Sequence, residues 1–595
     1  MTVLSEPDAP PAVPPPGVPK GTRVLRELKQ RVTVQSCIVA ALLVFLLWQI
    51  VVPLIGIVYT SFKDVRPDDP TFLSPDFSLT NINEIFSGDL LAVVLRTTVF
   101  AVGSSLIALI LGGFLAFVTT RTNAVCRGII AALVLYQLAM PEVLYPIVWS
   151  YLLSPDNGVI NEAWQSLTGT EGVLLNAYGM PAMILVESFL LLPLVYLFMV
   201  PGLTAMDRSL EEAAEVSGAG RSRVMRDIVF KLAMPAIVAT GIIALMRSWE
   251  AFEVPWYLGL REKNLTYSTE LFFQTVTPPS DTGRISAYAL PMLAVALLMV
   301  WYYSRFNRAA RRYATMSGKN FRPEPIRLKP VVRWVVGLGS LAVLFVGVIL
   351  PILMLVWLSL MPFYRPPSLK ALDYASIDSY TRLFADDAIL IGFRNSLIVG
   401  LGTTLLVLVV ASLSGWFVVH ERRPSSKLLD FLTFVPLSFP NIVIAICMLW
   451  LYLMLPIDIR GTYVSLVLAF FILFVALAAR NINARLMQIN RELHEAAVVS
   501  GASFLTSFRT VVMPLLGPAL LASGLYITVW AFKELEASIL LSDPSTKTAT
   551  VVIYDKSGLA TTAEVAAIGV VSLTAILFVV IGFQIVARKY KLVGF

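Results

Sequence analysis

Long apolar runs alternate with short polar segments along almost the whole chain, and none shows the two-residue alternation of a half-buried strand. Residues 38–59 and 341–360 are apolar almost throughout, long enough for a helix to cross the hydrocarbon of a bilayer. A spanning β-barrel would instead show short alternating segments. The pattern predicts spans at 37–60, 93–119, 127–152, 180–201, 233–256 and 284–304. A second set follows at 334–361, 394–419, 428–455, 463–480, 513–533 and 563–587. The expected fold is an all-α polytopic membrane protein of about twelve transmembrane helices, arranged as two parallel six-helix repeats.

Composition agrees: 57% of residues are hydrophobic and only 14% charged, with a mean hydropathy of +0.77. The net charge of +7 follows topology, so nucleic acid is not an expected partner. Lys20, Arg23, Arg26, Lys29 and Arg31 precede the first span, whereas 61–92 is mostly acidic and 153–178 has no Lys or Arg. Continued through the chain, the Lys/Arg bias predicts both termini on the cytoplasmic side. Residues 1–32 read as a Pro-rich disordered tail followed by a basic segment, without the apolar core of a signal peptide. Residues 33–304 form the first half and 334–595 the second. Between them, 305–333 is a basic linker, expected to be cytoplasmic and within reach of anionic lipid headgroups. Cys37, Cys126 and Cys447 lie in or near spans at spacings that suggest neither a disulfide nor a zinc site.

The halves repeat in sequence. Glu212-Ala213-Ala214-Glu215-Val216-Ser217-Gly218-Ala219 returns 283 residues later as Glu495-Ala496-Ala497-Val498-Val499-Ser500-Gly501-Ala502. Val52-Pro53-Leu54-Ile55 is answered by Leu350-Pro351-Ile352-Leu353, and Arg96-Thr97-Thr98 by Arg394-Asn395-Ser396. Six spans per half give both halves the same orientation, related by an axis along the membrane normal with a pathway between them.

A polar EAA-x3-G segment between two spans resembles the signature of permease subunits of ATP-binding-cassette (ABC) importers. Here it occurs twice, in loops 207–231 and 490–512. The resemblance implies a type I importer permease with two fused halves in a bacterial cytoplasmic membrane. Its implied partners are two copies of a separate ATPase and an extracytoplasmic substrate-binding protein. It also assigns ATPase coupling to Glu212, Ala213, Ala214 and Gly218, and to Glu495, Ala496, Ala497 and Gly501. No G-x4-G-K-[ST] phosphate loop occurs, so ATP and magnesium are expected on the partner, with no cofactor in this chain and no enzymatic activity of its own. The copies differ in one respect. Met513-Pro514 follows Gly501 at the family spacing, whereas Lys231 stands where proline is expected and Pro235 comes four residues later. Four residues are about one helical turn, which predicts levers of different length.

The candidate pathway residues are carboxylates. Glu142 and Glu187 lie within apolar stretches, where a charge is costly and usually faces a protein interior or a water-filled cavity. Glu250 and Glu253 follow the fifth span, with Arg247 close enough to pair with Glu250; Glu534 and Glu536 follow the eleventh. Each is a candidate for lining the pathway or contacting the binding protein; no metal site is assigned. KELEASILL (533–541) and Asn157–Asn161 resemble iron(III) permeases, in a group that also imports thiamine, polyamines and phosphonates. Hard carboxylate oxygens suit a hard cation better than an anion. Pro141, Pro146, Pro193, Pro436 and Pro440 are expected to kink their spans. The competing class is an ion-coupled secondary transporter built on Glu187 and Glu142.

Overall fold

A computed structural model describes residues 34–64, 76–87, 89–204, 206, 209–278, 281–310, 325–421, 424–559 and 562–589. The N-terminal tail and much of the 305–333 linker lie outside them. The described chain is helical, and its only strand-type pairings are two isolated bridges. Nine helices are long and apolar enough to cross a membrane: Val34–Ser61, Leu90–Arg121, Met180–Thr204, Met225–Trp249, Thr282–Phe306, Pro330–Leu360, Asp387–His420, Tyr463–Leu486 and Phe504–Lys533. Thr562–Lys589 answers the last predicted span.

The third span of each half is broken. In the first half Arg127–Gln137 ends in turns at 138–143 before Leu144–Leu152. In the second, Pro424–Ser438 and Asn441–Met454 meet at 113°. Pro141, Pro436 and Pro440 sit at these breaks, where the absent N–H and the ring clash with the preceding turn stop a helix. Pro193, by contrast, lies inside the uninterrupted helix Met180–Thr204.

Each half's first span packs against the other half. The two spans carry π-turns at matching places, Leu47–Val51 and Phe345–Ile349, just before Pro53 and Pro351. Pro351 has no N–H for the carbonyl of Gly347, four residues back. That carbonyl instead accepts from Tyr145 Oη of the first half at 2.6 Å. A side chain at Gly347 would collide with Phe189, 2.4 Å from the Cβ position. In the mirror contact, Gln49 Nε2 donates to the Leu468 carbonyl at 3.2 Å, and Phe45 meets Phe471 edge-to-face. Within each half the second span packs along the fourth. Gly112 permits this in the first half, since a Cβ there would lie 2.8 Å from Val195. Small residues at such seams bring helices close enough for dispersion to hold them in lipid, which supplies no hydrophobic drive of its own.

Candidate functional sites: the EAA segments and the acidic seam

The two EAA segments fold alike, element by element. Ser209–Val216 is matched by Glu492–Val499, Arg221–Val224 by Phe504–Ser507, and the π-turn Met225–Val229 by Phe508–Val512. The following helices begin at Phe230 and Met513. All these bounds are 283 residues apart, so the expected difference in lever length is not present. Pro235 falls in register with Pro518 inside the next helix, not with Pro514. Lys231 replaces the missing proline, and the π-turn forms without it.

Each first helix ends on glycine. Gly218 has φ +86° and Gly501 φ +93°, the left-handed conformation that glycine adopts without a Cβ penalty. The turn closes with Ala219 N–H donating to the Ala214 carbonyl at 2.9 Å, and Ala502 N–H to the Ala497 carbonyl at 3.0 Å. A Cβ at either glycine would meet nothing within 4 Å, so torsion alone requires it. Ala213 and Ala496 are exposed, and Ala214 and Ala497 half-buried. Glu495 pairs with Arg491 at 2.8 Å in solvent; the side chain of Glu212 lies outside the described residues.

Two valines that the motif does not single out, Val216 and Val499, share one position and stand 89% and 88% exposed. Isolated exposed apolar residues are ordinary. The same one at the end of both EAA helices gives the two copies a common apolar tip. The helices are held by different chemistry. The third residue of the first, Glu211, is buried and accepts from Arg121, the last residue of the second span. The third residue of the second is His494, whose Nδ1 lies 2.8 Å from Ser507 Oγ and whose ring packs on Trp416.

The six candidate carboxylates gather at the seam between the halves. Glu142 interacts electrostatically with Glu187, Glu250, Glu253, Glu534 and Lys533. Glu536 faces Glu253, Glu534, Glu250 and Arg247. Glu187, Glu253, Glu534 and Glu536 are buried, while Glu142 and Glu250 keep partial access. Burial therefore leaves little of the last two loops' carboxylates for surface contact with another protein in this conformation. Among the described residues, no three acidic, His or Cys side chains converge closely enough to hold a metal ion.

Two cations work against this negative charge. Arg247 donates to Glu250 at 2.6 Å, as the spacing suggests. Lys533 crosses from the second half into the broken third span of the first. It donates to the carbonyls of Leu138 and Met140 at 2.8 and 3.4 Å and lies 3.8 Å from Glu142. Trp530 sits between them, its ring centroid 4.6 Å from Lys533 Nζ and 6.0 Å from the Arg247 guanidinium. Glu534 accepts from the backbone N–H groups of Ala537 and Ser538 at 2.8 and 3.1 Å. Glu187 Oε2 and Glu536 Oε2 are buried without a hydrogen-bond partner. The nearby loop that opens at Asn157 is closed by Asn161, whose amide donates to the carbonyls of Leu153, Ser154 and Leu175.

Similarity to known proteins follows the same two-part organisation. The family described as binding-protein-dependent transport system inner membrane component matches residues 90–312 and again 407–592. A ferric transport system permease protein FbpB of Actinobacillus pleuropneumoniae is 23% identical over 384 residues, covering 64% of this chain and 54% of that protein. The chain thus spans about half the length of that relative. An Fe(3+)-transport system permease protein, FbpB 2, of Haemophilus influenzae is 23% identical over 397 residues, 66% of this chain and 72% of that one. A probable ABC transporter permease protein, y4fN, of Sinorhizobium fredii is 22% identical over 418 residues, covering 68% and 71%. With both halves matched in one polypeptide, the chain belongs to the family of binding-protein-dependent transport system inner membrane components.

Proposed function

We propose that this chain is the complete membrane pathway of an ATP-driven importer in a bacterial cytoplasmic membrane, both termini facing the cytoplasm. It works with two copies of an ABC ATPase, which bind the ATP and magnesium, and with an extracytoplasmic binding protein that delivers the cargo. The observation that carries this reading is the matched pair of EAA segments, in register to the residue, each ending in an exposed valine and a left-handed glycine. A short helix joined through a tight turn to the start of a span is a stiff lever. Seated in a cleft of an ATPase, it converts closure of the ATPase pair into rotation of one half against the other. Glu212, Ala213, Ala214 and Gly218 form one lever surface; Glu495, Ala496, Ala497 and Gly501 form the other.

Iron(III) is the favoured cargo. Two of the relatives are named for ferric transport, and the seam offers carboxylates in excess of cations. Thiamine and polyamines fit the same sign of charge; a phosphonate fits it least. The test is affinity purification of the tagged chain from its native membrane, with quantitative mass spectrometry of its companions. Recovery of about two ATPase copies per chain, lost in Val216→Asp/Val499→Asp while the chain still elutes as a monodisperse peak, supports the reading. Recovery of no ATPase under conditions that preserve a known ABC complex overturns it. The seam supports a second reading, a secondary transporter coupled through Glu187 and Glu142. It requires uptake that follows an ion gradient without ATP.

A further inference from the structure

The seam contains more than an importer requires for moving its two halves. Six carboxylates face two cations, and both cations are already engaged, Arg247 by Glu250 and Lys533 by Glu142 and two carbonyls. Among the described residues this leaves Glu187, Glu253, Glu534 and Glu536 without a cation of their own. A carboxylate oxygen buried without a donor is costly, because it has lost its water and gained nothing in return. Glu187 Oε2 from the fourth span and Glu536 Oε2 from the segment after the eleventh are both in that state. They come from opposite halves, and Glu253, which acts on both, lies between them electrostatically. Helix-packing requirements alone would be met better by apolar side chains of similar volume.

We infer that the seam is a cation-selective passage, in which Glu187, Glu253, Glu534 and Glu536 recognise the cargo by its positive charge as the halves part. The inference rests on the importer reading and adds selectivity within the permease to whatever the binding protein supplies. Since the carboxylates do not converge into a metal site in this conformation, the passage is one of transient contacts. The field draws a cation in, and no ligand shell retains it. A groove walled by one sign of charge concentrates counter-ions by roughly 10- to 1,000-fold. Arg247 and Lys533, held by their partners, flank the site without neutralising it.

The test reads charge preference directly and needs no knowledge of the cargo. Cys37, Cys126 and Cys447 are replaced, and a single reporter is introduced beside the carboxylates as Ser538→Cys; Ser538 Oγ lies 3.3 Å from Glu534. Ala251→Cys, on the other half, serves as a second reporter should the first disturb folding. The chain, in complex with its ATPase in nanodiscs and turning over ATP, is treated with a cationic or an anionic methanethiosulfonate. Each rate is normalised to that reagent's rate with a simple thiol. The expected result is a preference of at least about tenfold for the cationic reagent, falling towards parity in Glu187→Gln/Glu536→Gln. ATP-dependent labelling without charge preference overturns the cation passage and leaves the importer intact. Labelling by neither reagent at either reporter overturns the passage as well. A cation preference that is indifferent to the ATPase and to ATP keeps the passage and defeats the importer reading.

Discussion

Arg121 ends the second span of the first half and donates to Glu211 in the EAA helix, burying the pair beneath that segment. In the second half the corresponding span ends at His420, and the residue corresponding to Glu211 is His494. The only two histidines of the chain thus occupy the places of its buried cytoplasmic ion pair. Both pairs fasten an EAA helix to the end of a span, one by charge and the other by stacking on Trp416, with centroids at 4.3 Å for His420 and 4.7 Å for His494.

The first consequence is an unequal response to truncation. Removing one member of a buried ion pair leaves the other charged and dry, which costs about 3–5 kcal/mol. Arg121→Ala and Glu211→Ala should therefore lower the apparent unfolding temperature of the purified chain sharply. Joint replacement by apolar residues should recover much of the loss. His494→Ala forfeits a neutral hydrogen bond and ring contacts, worth about 1 kcal/mol for the bond. Equal melting shifts for Glu211→Ala and His494→Ala would contradict the difference in anchoring.

The second consequence is pH dependence confined to one segment. Burial holds the His494 ring below its ordinary 6.5, and the neighbouring Arg491 guanidinium adds to this, while Glu495 opposes it. His420 also faces the ring across Trp416. A depressed histidine binds more protons unfolded than folded, so its contribution is complete above the unfolded value and is lost as pH falls through the folded one. Hydrogen exchange across 492–512 should accelerate between about pH 7.5 and 5.5, whereas 209–229, held by Arg121 and Glu211, should change little over a range where both stay ionised. Parallel acceleration in the two segments would remove His494 as the cause.

A third expectation concerns the link between the halves at Lys533. Its ammonium satisfies two carbonyls left open where the first half's third span breaks, and it lies against Glu142. Lys533→Met opens both sets of partners at once and should cost about 3 kcal/mol, the lower end for breaking a buried pair because Glu142 keeps some contact with solvent. Adding Glu142→Gln should restore part of it. A double-mutant cycle on the melting temperature that finds the two changes additive would mean that Lys533 acts only through the carbonyls.

How much of this was legible in the sequence depends on the distance over which each feature is set. Gly218 and Gly501 stand at a fixed spacing from their EAA phrases, and local torsion explains them completely. The spans followed from apolar length, and the breaks near Pro141 and Pro440 from proline, although a 113° bend in one of them is decided by packing and not by the ring. The pairing of Pro235 with Pro514 was misleading, because matching the Met-Pro dipeptides hid a register that the helix bounds reveal. The carboxylates could be placed at the ends of their own spans, but their union could not. It depends on Glu142 and Glu187 from one half reaching Glu534 and Glu536 of the other, across a seam closed by exchanged first spans. Lys533 was hidden as one cation within a run of carboxylates. The available signal was its place 283 residues after Glu250, which puts opposite charges at equivalent positions of the two halves.

The glycines allow the lever to be tested apart from the fold. Because a Cβ at Gly218 or Gly501 meets open space, substitution there costs only the left-handed torsion, about 1–2 kcal/mol for an L-residue. Gly218→Val and Gly501→Val should accordingly fold, with melting temperatures lowered by a few degrees. Each should nonetheless reduce ATP-driven transport at least tenfold. A branched side chain at the corner alters the shape offered to the ATPase and biases the turn away from the geometry that aims the helix. Gly220→Ala is the matched control: it is two residues away, equally open and without the left-handed torsion, and should leave both properties near their original values. If the valine variants bound the ATPase and transported normally, the corner would be a helix cap and nothing more. Coupling would then have to pass through the exposed tips at Val216 and Val499 alone.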